Sequence, residues 1–127
     1  MKTSTQKLAQ LVLAFACSTT PITMQAKRVA ATPVAPVVQG SVRYSSDGDG
    51  RDQYVVAADA QRGNVLWRVK IFHNSIDPER EEDVQWVFIR ELKVVKGMLF
   101  VKDEKSRCYV LDLQTRTVKD APCADTF

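Results

Sequence analysis

From residue 41 to residue 120 apolar and polar side chains alternate with a period of two, the pattern of strands that bury one face. "SVRYS" sets Val42 and Tyr44 on one side, and "YVVAAD" (54–59) follows. In "VLWRVKIF" (65–72) one face is wholly apolar, with Val65, Trp67, Val69 and Ile71. Leu66, Arg68, Lys70 and Phe72 form the other. "WVFIRELKVV" (86–95), "MLFVKD" (98–103), "CYVLDL" (108–113) and "TVKD" (117–120) complete the series. Turn formers separate these runs: "SDGDGRD" at 46–52, "AQRGN" at 60–64, Lys96-Gly97, "EKSR" at 104–107 and Gln114-Thr115. The pattern predicts a mainly all-β fold: a small antiparallel meander of five to seven strands, curled into a barrel or a sandwich. Trp67, Val69, Leu92, Val94, Leu99, Val101, Tyr109 and Leu111 are the predicted core.

Two stretches depart from this rhythm. In "NSIDPEREEDVQ" (74–85) Asp77 can cap a helix, Pro78 suits its first position, and Glu79, Glu81 and Glu82 favour its positive end. One short helix is therefore predicted near 78–85. "KRVAATPVAPVVQG" (27–40) is rich in Ala, Val and Pro. Pro33 and Pro36 forbid a regular helix and favour an extended chain, so this segment reads as a linker, mobile or laid along a single small β domain at 41–125.

The N-terminus has the layout of a secretory signal peptide. Lys2 and Lys7 precede the apolar "LAQLVLAFA" (8–16), and the polar "CSTTPITMQA" (17–26) follows. The apolar run is about half the ~20 residues of a membrane-spanning helix, so the mature form is expected to have no span. Cleavage after Ala26 defines a signal at 1–26. Cleavage after Ala16 would leave Cys17 at the new N-terminus, as in a lipoprotein. Either route predicts export, to the periplasm or the extracellular space. The net charge of +3 falls toward zero once Lys2 and Lys7 are removed with a segment that holds no acid. That surplus argues against a nucleic-acid partner. Cys108 and Cys123 would then be the remaining cysteines, and an even pair in an exported chain suggests a disulfide, two free thiols being the alternative.

An internal echo links the hairpins. "YVVAADAQRGNVLW" (54–67) and "RCYVLDLQTRTVKD" (107–120) share strand, Asp, apolar residue, Gln, short turn and strand, with Asp59 aligned to Asp112 and Gln61 to Gln114. The first copy resembles the repeat hairpin of pyrroloquinoline-quinone-type β-propellers, which reads roughly apolar-Asp-Ala-x-x-Gly-x-x-x-Trp. The second departs from it, with Arg116 for the Gly and Asp120 for the Trp. The chain is also similar to small exported bacterial proteins that carry one such hairpin. The resemblance implies strand-turn-strand structure. It does not carry a quinone site here, because a propeller needs at least about four blades of roughly 40 residues, more than this chain of 127 residues holds.

Three groups of residues carry candidate chemistry. Asp47, Asp49 and Asp52, interleaved with Gly48 and Gly50, could offer clustered oxygens to Ca²⁺, although no Glu closes an EF-hand loop and a solvated turn uses the same residues. His73, the sole histidine, could work with a carboxylate in a small secreted enzyme, and Glu79, Glu81, Glu82, Asp83 and Glu91 could separately supply paired carboxylates for glycoside chemistry, although acids opening a helix explain most of them. Arg68, Lys70, Arg90, Lys93 and Lys102 lie on strands near Phe72, Trp86 and Phe88. They could form a basic aromatic face or simply solvate the outer sheet. With no catalytic constellation, the leading expectation is an exported, non-enzymatic β module that binds a protein or cell-envelope partner or has a structural role, without a cofactor. A Ca²⁺-binding module and a His73 enzyme are the alternatives.

Overall fold

The computed structural model of the chain describes residues 31–123 and 127, so the signal segment and Cys17 lie outside the described residues. Each of the seven alternating runs forms a strand. In chain order these are β2 (Val42–Gly48), β3 (Asp52–Asp59), β4 (Val65–His73), β5 (Ile89–Val95), β6 (Met98–Asp103), β7 (Cys108–Asp112) and β8 (Val118–Ala121). An eighth, β1 (Val37–Gln39), precedes them. It comes from the segment read as a linker. Pro33 and Pro36 keep that segment extended, and an extended chain carrying Val34 and Val37 can pair with β2 and pack on the core. The strands form two antiparallel four-stranded sheets, in the orders β1-β2-β3-β4 and β5-β6-β7-β8; neither closes into a barrel.

No α-helix forms at 78–85; a single 3-10 turn occupies Asp83–Gln85. Side chains take the bonds a helix would have used. Asp77 accepts from the Glu79 amide, and Gln85 accepts from the Asp77 amide while donating to the carbonyls of Asp77 and Glu81.

One core joins the sheets. Tyr44, Val55, Ala57, Ile71 and Phe72 from the first meet Ile89, Leu92, Leu99, Val101, Tyr109 and Leu111 from the second. Trp67, Val69 and Val94 pack against this cluster, partly buried. The rings of Phe72 and Tyr109 stack across the interface with centroids 5.1 Å apart. Two register shifts in the β3–β4 pair alter the simple alternation. One, between Gln53 and Tyr54, leaves both Ile71 and Phe72 buried, so Phe72 joins the core instead of the outer face. The other, between Ala57 and Ala58, accompanies the exposure of Val65, which strict alternation would have buried.

Buried polar groups are few and fully used. The Gln53 side chain donates to the carbonyls of Asp49 and Asp52 and accepts from the Ile89 amide, tying the first sheet to the start of the second. Asp103 has no exposed surface. Its carboxylate accepts from the amides of Lys105 and Arg107, from Arg107 Nε at 2.9 Å and from the Tyr109 hydroxyl at 3.1 Å. Burial, with the Asp103 charge second, pushes the Tyr109 hydroxyl up to about 12. The sulfurs of Cys108 and Cys123 lie at disulfide distance, with Cα atoms 5.3 Å apart.

The two aligned hairpin turns are built alike. Asp59 Oδ1 accepts from the Gln61 and Arg62 amides; Asp112 Oδ1 accepts from Gln114 and Thr115. The residue four positions on has a left-handed backbone in both, Gly63 at φ 76° and Arg116 at φ 61°. Even the outside contact recurs, from Ala60 N to Ser41 O and from Leu113 N to Gly97 O. Yet the sheets bury opposite faces. Aligned on these turns, Ala57 corresponds to Val110 and Ala58 to Leu111. Ala57 and Leu111 are buried, whereas Ala58 and Val110 are partly exposed. The second sheet therefore follows the first front to back.

Candidate functional site

Of the residues singled out for chemistry, Asp49, Asp52, His73 and Glu82 lie at the end of the first sheet where the β2–β3 turn lies against the 74–88 connection. Asp49 shapes that turn by accepting from the amides of Arg51 and Asp52 through Oδ1. The connection clamps it. Asn74 N donates to Arg51 O, the Asn74 side chain bridges the carbonyls of Gly50 and Gln85, and Val87 N donates to Gly50 O. Trp86 lies so close over Gly50 that a Cβ there would run into the indole. Glycine is required by this approach.

The β3–β4 register sets Asp52 opposite His73. His73 Nδ1 lies 2.7 Å from Asp52 Oδ1, and Lys70 Nζ is 3.5 Å from the same oxygen. The His73 hydrogen bond, with smaller help from Lys70, holds the Asp52 carboxyl below its usual range. Across the turn, Arg51 bonds Glu82; this lowers the Glu82 carboxyl and raises the guanidinium. Backbone N–H bonds from Asp52 and Arg51 lower Asp49. A polar depression of about 430 Å³ opens here, lined by Arg51, His73, Asn74, Asp77, Arg80 and Glu82 together with Ile76 and Pro78.

The three aspartates of the candidate cation loop do not converge. Asp47 points to Arg68 at 3.0 Å, Asp49 to its own turn, and Asp52 to His73. Among the described residues no three His, Cys, Asp or Glu side chains are grouped as a metal ion requires. The Asp52–His73 pair orients an imidazole and can hold a proton. Among the described residues no hydroxyl or thiol is hydrogen-bonded to His73, so the pair has no activated nucleophile beside it.

The strand cations do not form one surface either. Arg68 and Lys70 stand on the outer face of the first sheet, the Arg68 guanidinium 3.5 Å from the centre of the Tyr54 ring. Lys93 and Lys102 stand on the outer face of the second, and Lys102 lies 5.8 Å from the Phe127 ring. Arg90 falls at the register irregularity between Ile89 and Glu91.

Three residues that organise this region carry no conspicuous sequence signal. Asn74, Gln53 and Trp86 act through contacts distant in sequence. Asp103, followed by a short polar run, repeats the Asp-turn pattern of Asp59 and Asp112 and could have been found that way. Among the described residues no helix is long and apolar enough to cross a membrane. Compared with known families and curated proteins, the chain matches no family model and no curated sequence.

Proposed function

We propose that this chain is an exported, non-catalytic β module that binds a protein or cell-envelope partner or serves as a structural element. One observation carries the reading: apolar side chains stand uncovered on the outer face of each sheet. Val38 and Val65 are 59% and 63% exposed on the first, and Val95 and Met98 are exposed on the second. Buried polar groups, by contrast, are spent on the fold itself, at Gln53 and Asp103. The likeness of 54–67 to a quinoprotein-type hairpin supports the strand pair and adds no cofactor. Site-specific photo-cross-linking at Val65, against a control at Glu79, tests the proposal in the exporting cell. A product formed through Val65 and not Glu79 is expected. No product at either site overturns it. N-terminal sequencing of the exported chain checks the signal, expected to end near Ala26.

The Asp52–His73 pair favours a second reading, a small secreted enzyme in which Asp52 orients His73 as a general base. It requires a turnover abolished by His73→Ala and greatly reduced by Asp52→Asn. A hydrolase screen in which His73→Ala changes nothing removes it.

A further inference from the structure

The front-to-back order of the sheets leaves the molecule open at both ends. A two-fold sandwich would bury equivalent faces and be finished. Here the buried face of the first sheet has its equivalent exposed on the second, and the buried face of the second has its equivalent exposed on the first. The strand registers make the correspondence residue by residue. Across the second sheet the inward row Val94, Leu99, Leu111, Val118 matches the outward row Val38, Arg43, Ala58, Val65 of the first. Three of those four outward positions remain apolar. In the other direction the inward row Val37, Tyr44, Ala57, Trp67 of the first sheet matches the outward row Lys93, Phe100, Val110, Lys119 of the second. Its two central positions stay apolar between lysines.

We propose that the outer face of the second sheet receives the outer face of the first sheet of another copy of this chain, repeating between molecules the stacking seen within one. The proposal deepens the binding reading and rests on it. The interface already built inside the chain selects this occupant, because each outer face is the register equivalent of a surface that has its mate in the core. Phe127 lies against Lys102 near the disulfide end of the receiving face. The docking area is therefore its other half, around Met98, Phe100 and Val110. Such a contact joins unlike surfaces, so it extends head to tail into a ring if the rotation closes and a filament if it does not.

Sedimentation velocity of the purified full chain over a micromolar-to-millimolar series tests this. Mass is expected to rise in whole multiples of the chain's own. Val65→Lys spoils the donating face and Met98→Lys the receiving face; both positions are exposed, and near-UV circular dichroism checks that the fold is kept. Each variant alone is expected to stay monomeric. An equimolar mixture retains one intact contact and is expected to stop at a one-to-one dimer. Four results overturn the proposal: a monomeric wild type, assembly unaffected by either change, assembly lost through only one of them, or a mixture that stays monomeric. A monomeric wild type that still cross-links through Val65 to a different component keeps the binding reading and removes the self-stacking.

Discussion

The two sheets share a strand order and a turn design, yet they are held together by different means. The second is the oilier: Ile89, Leu99, Val101 and Leu111 are almost wholly buried, with the buried Asp103 hub and the Cys108–Cys123 bridge behind them. The first buries the small Val55 and Ala57 completely, beside Tyr44, Ile71 and Phe72, and adds a polar clamp of Gln53, Asn74 and paired charges around its β2–β3 turn. Both repeats bury apolar side chains, but the first adds hydrogen bonds between distant segments and the second a buried carboxylate hub and a disulfide-distance cysteine pair. The difference teaches that a repeated topology does not require a repeated source of stability.

The largest effect should come from apolar volume. Leu111→Ala is expected to cost about 3 kcal/mol, and Val55→Ala less, since fewer carbons are removed from the first sheet. Urea denaturation measures both, and equal losses would erase the contrast. Next come the two turn carboxylates that differ in burial. Asp103→Ala strands the Tyr109 hydroxyl and the Arg107 amide, at a cost of roughly 2–3 kcal/mol, while Asp49→Ala on the exposed turn should cost clearly less. The hairpin turns offer a change of opposite sign. Arg116→Gly relieves a left-handed non-glycine residue and should stabilise by about 1 kcal/mol, and Gly63→Ala should destabilise by a similar amount. Thermal melts of the pair decide it; shifts in the same direction would show that the turns are not equivalent.

The smallest expected effects are in pH, and they divide the sheets. Asp49, Asp52 and Glu82, at one end of the first sheet, have lowered folded values. Their contribution is present above the ordinary carboxylate range near about 4 and fades as the pH falls through those lowered values. In the second sheet Asp112 shares this lowering, whereas Tyr109 is raised to about 12. Its contribution is complete below the ordinary tyrosine value near about 10 and is lost between there and about 12. Hydrogen exchange should show acid loosening the 49–52 turn first and alkali loosening β6–β7 first. Tyr109→Phe should flatten the alkaline limb.

Much of the architecture was legible because it rests on local periodicity. The seven runs that became strands each show alternation, and the Asp59 and Asp112 turns show a shared pattern of residues. What escaped depends on partners far along the chain. β1 lacks any strand signal beyond Val37 and Val38, and it forms because β2 offers an open edge. Phe72 changes face through a bulge, which a strict period cannot express. The helix anticipated at 78–85 yields to Gln85, whose amide satisfies backbone groups more than one turn away. At the candidate site, His73 and Asp52 were each conspicuous, but their meeting follows from the β3–β4 register. The front-to-back order needs both registers at once.

The close seat of Trp86 over Gly50 has an optical consequence. The chain has two tryptophans, and the other, Trp67, lies beside Arg116 near the opposite end of the first sheet. Each indole thus watches one end alone: Trp86 the clamp around the β2–β3 turn, Trp67 the neighbourhood of the two Asp turns. Trp67→Phe and Trp86→Phe variants would turn the protein's own emission into two separate reporters, able to tell whether the two ends let go together or in sequence.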